Sequence, residues 1–147
     1  MLQYSSKALT IFSPQSFMNS GAPFFDIGVS AGFPSPADDF KEQRLSLDRE
    51  LIRNKDATFF ARVSGQSMIG AGLDDDDLLV IDRSLKPEHN KIAVCFLDGE
   101  FTVKRLKVRE NGVWLQPENP EYPIIQITEE NNFIIWGIVT NVIKKVY

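Results

Sequence analysis

A serine becomes a nucleophile when a neighbouring base takes its proton, and this chain offers few bases for that task. Its sole histidine, His89, sits in Lys86-Pro-Glu-His-Asn-Lys91, which reads as an exposed turn rather than as a positioned imidazole. Its single cysteine, Cys95, lies inside the apolar run Ile92–Leu97 and reads as a core residue. The run Asp74–Asp77 is contiguous, whereas a calcium loop needs acids at alternate positions and a distal Glu. It reads as a solvated acidic loop with one or two capping aspartates, so neither metal nor cofactor is expected. What remains is serine with lysine. Ser64-Gly65-Gln66-Ser67-Met68 follows a predicted strand and opens a loop rich in glycine, with Gly70 and Gly72 further on. Glycines let the backbone turn sharply and present a hydroxyl beside free N–H groups that can hold an oxyanion, with Met68 as the expected backbone contact. Lysine serves as base only when neutral, which requires a desolvated pocket. Lys104 lies in a predicted strand with Phe101, Val103 and Leu106 around it. A strand lysine ordinarily faces solvent, so Ser67 as nucleophile and Lys104 as general base persuade only in combination.

The elements that must position this pair read as a β-rich body. Strands are predicted at Thr58–Val63, Leu78–Asp82, Ile92–Leu97, Glu100–Val108, Val113–Gln116, Ile124–Ile127 and Phe133–Ile143. Asp98-Gly99 and Asn111-Gly112 are hairpin turn signals. Short strands at regular spacing imply a compact, partly closed antiparallel β-barrel. Ahead of it, Ser35 and Pro36 are placed to start a short helix over 36–44, with a second near 48–54. Residues 1–31 differ from the rest: Lys7 and Asp26 are their only charges. They read as a semi-ordered arm that packs on a surface. Pro34 and Pro36 bias their predecessors toward extended backbone, so Val29–Phe33 is predicted to be extended.

These motifs resemble the LexA-type self-cleaving Ser/Lys protease family. The resemblance rests on Ser64-Gly-Gln-Ser-Met68, Asp75-Asp-Asp-Leu-Leu79 and Asp98-Gly-Glu-Phe-Thr-Val-Lys-Arg-Leu106, and on the 37-residue separation of Ser67 from Lys104. Gly32-Phe-Pro-Ser-Pro-Ala-Asp-Asp39, Glu42-Gln-Arg44 and Trp136–Ile143 are most similar to the UmuD branch of that family. The likeness spans about residues 28–147. It implies that Ala31-Gly32 is the chain's own scissile bond, that 1–31 is an arm removed by self-cleavage, and that 32–147 is the protease-fold domain. It further implies an SOS-response protein that forms a homodimer and responds to the RecA filament on single-stranded DNA. In that branch the processed form serves as accessory subunit of an error-prone translesion polymerase, with a UmuC-like catalytic partner. Two departures stand out. The family usually has Asp-Gly-Asp where this chain has Asp75-Asp76-Asp77, which is expected to alter that turn. Ala31 stands where the UmuD branch tends to have cysteine, and alanine is common in the wider family.

Composition narrows the alternatives. The chain has 147 residues, 43% of them hydrophobic, enough for one cored domain. A lone cysteine forms no internal disulfide, and a cytoplasmic location is the simple expectation. The first residues lack a basic leader with an apolar core, and no apolar run approaches the roughly 18 residues that span a bilayer. A net charge of −4 argues against tight general binding to DNA phosphates. The one basic cluster, Lys104–Arg109, is short. Two rival readings are a repressor-like regulatory module of the same family and a signal-peptidase-like enzyme acting on other chains. The short arm disfavours the first and the want of a membrane anchor the second.

Overall fold

A computed structural model of the chain describes residues 3–5, 9–12, 22–24 and 43–147. The strands are, in chain order, β1 (Gln3–Ser5), β2 (Leu9–Phe12), β3 (Ala22–Phe24), β4 (Gln43–Leu45), β5 (Thr58–Val63), β6 (Leu78–Asp82), β7 (Ile92–Leu97), β8 (Glu100–Arg109), β9 (Gly112–Gln116), β10 (Ile125–Gln126) and β11 (Phe133–Ile143). One helix, α1 (Leu47–Leu51), and a single 3-10 turn at Ile69–Ala71 complete the described elements. The chain divides into two compact units, Gln15–Arg53 and the remainder.

The larger unit is a curled antiparallel half-barrel with strand order β1-β2-β5-β6-β11-β7-β8-β9-β10. This is the antiparallel architecture that the short, regularly spaced strands imply. The β7–β8 hairpin turns on two residues, Asp98 and Gly99, with φ of 48° and 91°. Such a tight turn matches the right-handed twist of the flanking strands and favours Asp-Gly. The next turn falls one residue earlier than expected. Arg109 pairs with Gly112, so Glu110 and Asn111 form the loop and Gly112, at φ 147°, opens β9. The core has two adjoining clusters. Met68, Leu73, Leu79, Ile81, Val94 and Val103 fill one; Ala93, Cys95, Leu106, Leu115 and Ile138 fill the other. The long β11 sits between β6 and β7, and close approach there needs Gly137: a Cβ would meet Ile81 Cγ2 at 2.5 Å.

Two expectations change, and one segment is more regular than its sequence signals. Of residues 1–31, expected to form a semi-ordered arm that packs on a surface, β1 and β2 extend the main sheet, Leu9 opposite Val63 and Phe12 opposite Phe60, and apart from β3 the others lie outside the described residues. Four residues are too few for an alternating pattern to stand out. Of the helix expected over 36–44, residues 36–42 lie outside the described residues, while Gln43 and Arg44 are strand, paired with Phe24 and Pro23. The second helix is present as one turn, Leu47–Leu51, and ends where Ile52 goes extended (φ −106°, ψ 99°).

Candidate active site

The loop after β5 is closed at its base before it presents anything. Val63 N–H donates to the Asp77 carbonyl at 2.9 Å, and Asp76 N–H to the Val63 carbonyl at 2.8 Å. Inside it, Gly65 takes φ 100° and its N–H donates to Asp75 Oδ1 at 2.8 Å. Asp76, the third aspartate of the run, takes the left-handed conformation at φ 71°. Asp and Asn tolerate that conformation better than other side-chain-bearing residues. The Met68 side chain is buried in the first core cluster, and its carbonyl accepts from Ala71 and Leu73 N–H at 3.0 and 3.2 Å. Ser67 is thereby held between a buried anchor and a flexible glycine approach. Among the described residues, the N–H groups of Ser67 and Met68 have no acceptor, which leaves both available to a ligand.

Lys104 reaches the same point from β8. It lies opposite Ala93 on β7, whose small side chain leaves room for it. Only 8% of Lys104 is exposed. Its Nζ donates to Ser67 Oγ at 3.1 Å, to Thr102 Oγ1 at 2.8 Å and to the Val103 carbonyl at 3.0 Å. Burial pushes the ammonium below the ordinary lysine value of 10.5, while nearby Cys95 acts weakly in the opposite sense. Ser67 and Lys104 open onto a cleft of about 340 Å³ that Gln66, Leu73, Thr102 and Tyr122 also line. A second hollow of about 270 Å³ adjoins it across Thr102, Lys104 and Tyr122, with Leu97, Phe101 and Ile125 as apolar walls.

The remaining candidates separate from this centre. Cys95 is fully buried, and burial pushes its thiol up to about 12, as suits a core residue. His89 is exposed, and its Nδ1 accepts from Val108 N–H at 2.9 Å. The aspartate run is used for capping: Asp77 Oδ2 accepts from Asp74 N–H at 2.8 Å, and Lys144 bonds both side chains. Burial alone would raise the Asp77 carboxyl, but the bonds from Lys144 and Asp74 outweigh it and hold it below 3.8. Among the described residues, no group of three or more His, Cys, Asp or Glu could hold a metal. Ala31 and Gly32 lie outside the described residues.

Several contributors were not picked out from the sequence. Thr102 was missed, although alternate strand residues share a face and it stands two places before Lys104. Asn119 is buried, and its Nδ2 donates to the Gln66 carbonyl at 2.9 Å. Its neighbour Glu118 accepts Gly70 N–H at its carbonyl at 2.7 Å. The segment thus grips the loop on both sides of Ser67. No local spacing signals this, because the partners are about fifty residues apart.

A serine beside a buried lysine on a half-barrel calls for comparison with known proteins. The profile of the Peptidase S24-like family matches residues 23–140. The chain belongs to that family. Protein MucA of Salmonella typhimurium is 43% identical over 132 residues, covering 85% of this chain and 90% of MucA. Protein ImpA of Shigella flexneri is 46% identical over 125 residues, covering 84% and 83%. The LexA repressor of Delftia acidovorans is 37% identical over 116 residues, which is 79% of this chain and 51% of the repressor. Within the Peptidase S24-like family the chain is of the UmuD type: a self-cleaving serine peptidase of the SOS response and mutagenesis. No described helix is long and apolar enough to cross a membrane.

Proposed function

We propose that the chain cuts itself between Ala31 and Gly32 with Ser67 as nucleophile and Lys104 as general base. The observation that carries this reading is the 3.1 Å approach of a buried, desolvated Lys104 Nζ to Ser67 Oγ. With Lys104 neutral, the bond reverses and Ser67 Oγ–H donates to Nζ. Oγ then attacks the Ala31 carbonyl carbon while Nζ takes the proton. The tetrahedral oxyanion is received by the N–H groups of Met68 and Ser67. Collapse breaks the Ala31–Gly32 bond, and the Lys104 ammonium returns its proton to the leaving Gly32 nitrogen. Water, deprotonated by the same lysine, releases Ala31 from Ser67 as a carboxylate.

The product, residues 32–147, acts in this reading as the accessory subunit of an error-prone translesion polymerase of the polymerase V kind. It works as a homodimer with a UmuC-like catalytic subunit, in the cytoplasm. The RecA filament on single-stranded DNA stimulates the cut by favouring the docked arm. Resemblance supports these partners, and the similarity to MucA and ImpA over most of the chain supports the resemblance.

The test is intact mass after incubation with RecA, nucleotide and single-stranded DNA. The expected fragment begins Gly32-Phe33-Pro34. Ser67→Ala should remain folded and uncut. A stable fragment with another start, or a normal cut in Ser67→Ala, overturns the assignment. Primer extension across a lesion, with and without the product and a UmuC-like subunit, tests the polymerase role.

A further inference from the structure

The Lys104–Arg109 cluster does more than supply Lys104. Leu106 on β8 and Leu115 on β9 lie opposite each other and are fully buried. Their strand neighbours therefore face the other side, since successive residues alternate. That outward side pairs Lys107 directly with Trp114, and Trp114 in turn with Gln126 on β10. Arg109 continues the row, and the indole lies over Gly112, where an added Cβ would touch it at 3.6 Å. Together Lys107, Arg109, Asn111, Trp114, Gln116 and Ile124 line a cleft of about 330 Å³.

Among the described residues, no carboxylate pairs with the charges of this cleft, so neither Lys107 nor Arg109 makes an ion pair. Lys107 Nζ donates only to the neutral Asn90 Oδ1, at 2.6 Å. Glu118, two residues beyond Gln116, is taken by Arg105. Glu110 is exposed in the turn beyond Arg109. Two unpaired cations beside an indole, on a chain of net charge −4, form a local exception to its field. An aromatic ring flanked by cations and side-chain amides fits a ligand that is both planar and anionic.

We propose that this face binds single-stranded nucleic acid, with one base stacked on Trp114 and adjacent phosphates against Lys107 and Arg109. A duplex keeps its bases stacked internally and cannot offer one to the indole. An acidic peptide would satisfy the cations and leave the indole idle. The inference is independent of the peptidase reading, because none of the three residues it uses, Lys107, Arg109 and Trp114, bonds to Ser67 or Lys104.

The experiment titrates the full chain carrying Ser67→Ala with fluorescein-labelled oligothymidylate, following anisotropy from about 20 mM salt upward. Two phosphate contacts predict a slope of log K against log salt of about −1.4, at about 0.7 per contact on a single strand. Lys107→Gln and Arg109→Gln should each reduce that slope by about 0.7. Trp114→Ala should weaken binding about fivefold or more, since stacking contributes about 1–3 kcal/mol per base and about 1.4 kcal/mol is tenfold. Trp114→Phe keeps a stacking ring and should stay within about threefold of the parent. It and Arg109→Gln decide the matter if Trp114→Ala fails to fold. The proposal is overturned by no binding at about 20 mM salt and millimolar oligonucleotide, or by slopes unchanged in the glutamine variants. It is equally overturned if oligoglutamate displaces the oligonucleotide at matched charge, which would make the face an acidic-peptide site.

Discussion

At the scale of single residues, the proposed role of Lys104 as general base sets the expected pH dependence of self-cleavage. Only its neutral form can take the Ser67 proton, and burial lowers its pKa from 10.5. The neutral fraction grows as pH rises, so self-cleavage without activator should accelerate about tenfold per pH unit and level off below pH 10.5. The uncut fraction followed over time between about pH 7 and 10 checks this; a flat or falling rate in folded protein rules out a lysine base. Lys104→Ala should remove cleavage at every pH. Thr102 accepts from the ammonium at 2.8 Å and so favours the charged form. Thr102→Val should therefore move the inflection of the same profile to lower pH. Lys104 was legible in the sequence and Thr102 was not. A base is required for serine chemistry, and the turn around His89 excludes it, which leaves lysine. A strand threonine has no such necessity, being an ordinary β former. Asp76 illustrates the converse. The departure from Asp-Gly-Asp was visible in the sequence, and Asp76 takes the left-handed conformation at φ 71°. Asp76→Gly relieves that backbone strain but gives the unfolded chain more freedom, so thermal unfolding should shift by no more than about 1 kcal/mol.

At the scale of elements, the strands were read well where turn chemistry fixed them and less well where pairing did. Asp98-Gly99 placed the β7–β8 hairpin to the residue, because that sequence prefers the conformation the tight loop demands. Asn111-Gly112 carries the same signal, yet the ladder pairs Arg109 with Gly112 and moves the turn back by one. The strands β2 and β4 were missed because each is short and takes its partner from elsewhere in the chain. The grip on the loop around Ser67 has the same character. Asn119 and the Glu118 carbonyl hold Gln66 and Gly70, two residues separated only by Ser67 and its neighbours. Such a grip fixes where Oγ sits without touching the lysine, so it should govern the plateau rate and leave the inflection alone. Asn119→Ala should lower the plateau, keep the inflection within error, and cost about 1 kcal/mol of stability for each of the two bonds lost, to the Gln66 carbonyl and from Glu121 N–H. A shifted inflection would mean that Asn119 acts on Lys104 instead. Gly70→Ala should be harsher, since its Cβ would stand 2.5 Å from the Glu118 carbonyl oxygen and backbone must move. Its thermal unfolding should fall by more than that of Asn119→Ala.

At the scale of the whole molecule, charge decides how the chain meets DNA. Its net charge is −4, and the arm before Gly32 carries only Lys7 and Asp26, which cancel. A cut at Ala31-Gly32 therefore removes mass and leaves the net charge where it was. Duplex DNA is held chiefly by the phosphates a protein neutralises, at a slope of about 0.9 per contact. One outward row bearing Lys107 and Arg109 offers few such contacts, and the surrounding field opposes the rest. Processing should accordingly leave duplex binding weak and almost unchanged. Full-length Ser67→Ala and the fragment beginning at Gly32 should both bind random duplex more weakly than about 1 μM at about 150 mM salt, within about twofold of each other. Recruitment to DNA that increases on cleavage must then come through a protein partner whose site the cut arm had occupied or failed to shape. Fluorescence anisotropy on a labelled random duplex, run on both forms at matched salt, reads this directly. Submicromolar binding by the fragment alone would mean that cleavage uncovers a cationic surface within 32–147, and the protein-mediated route would no longer be needed.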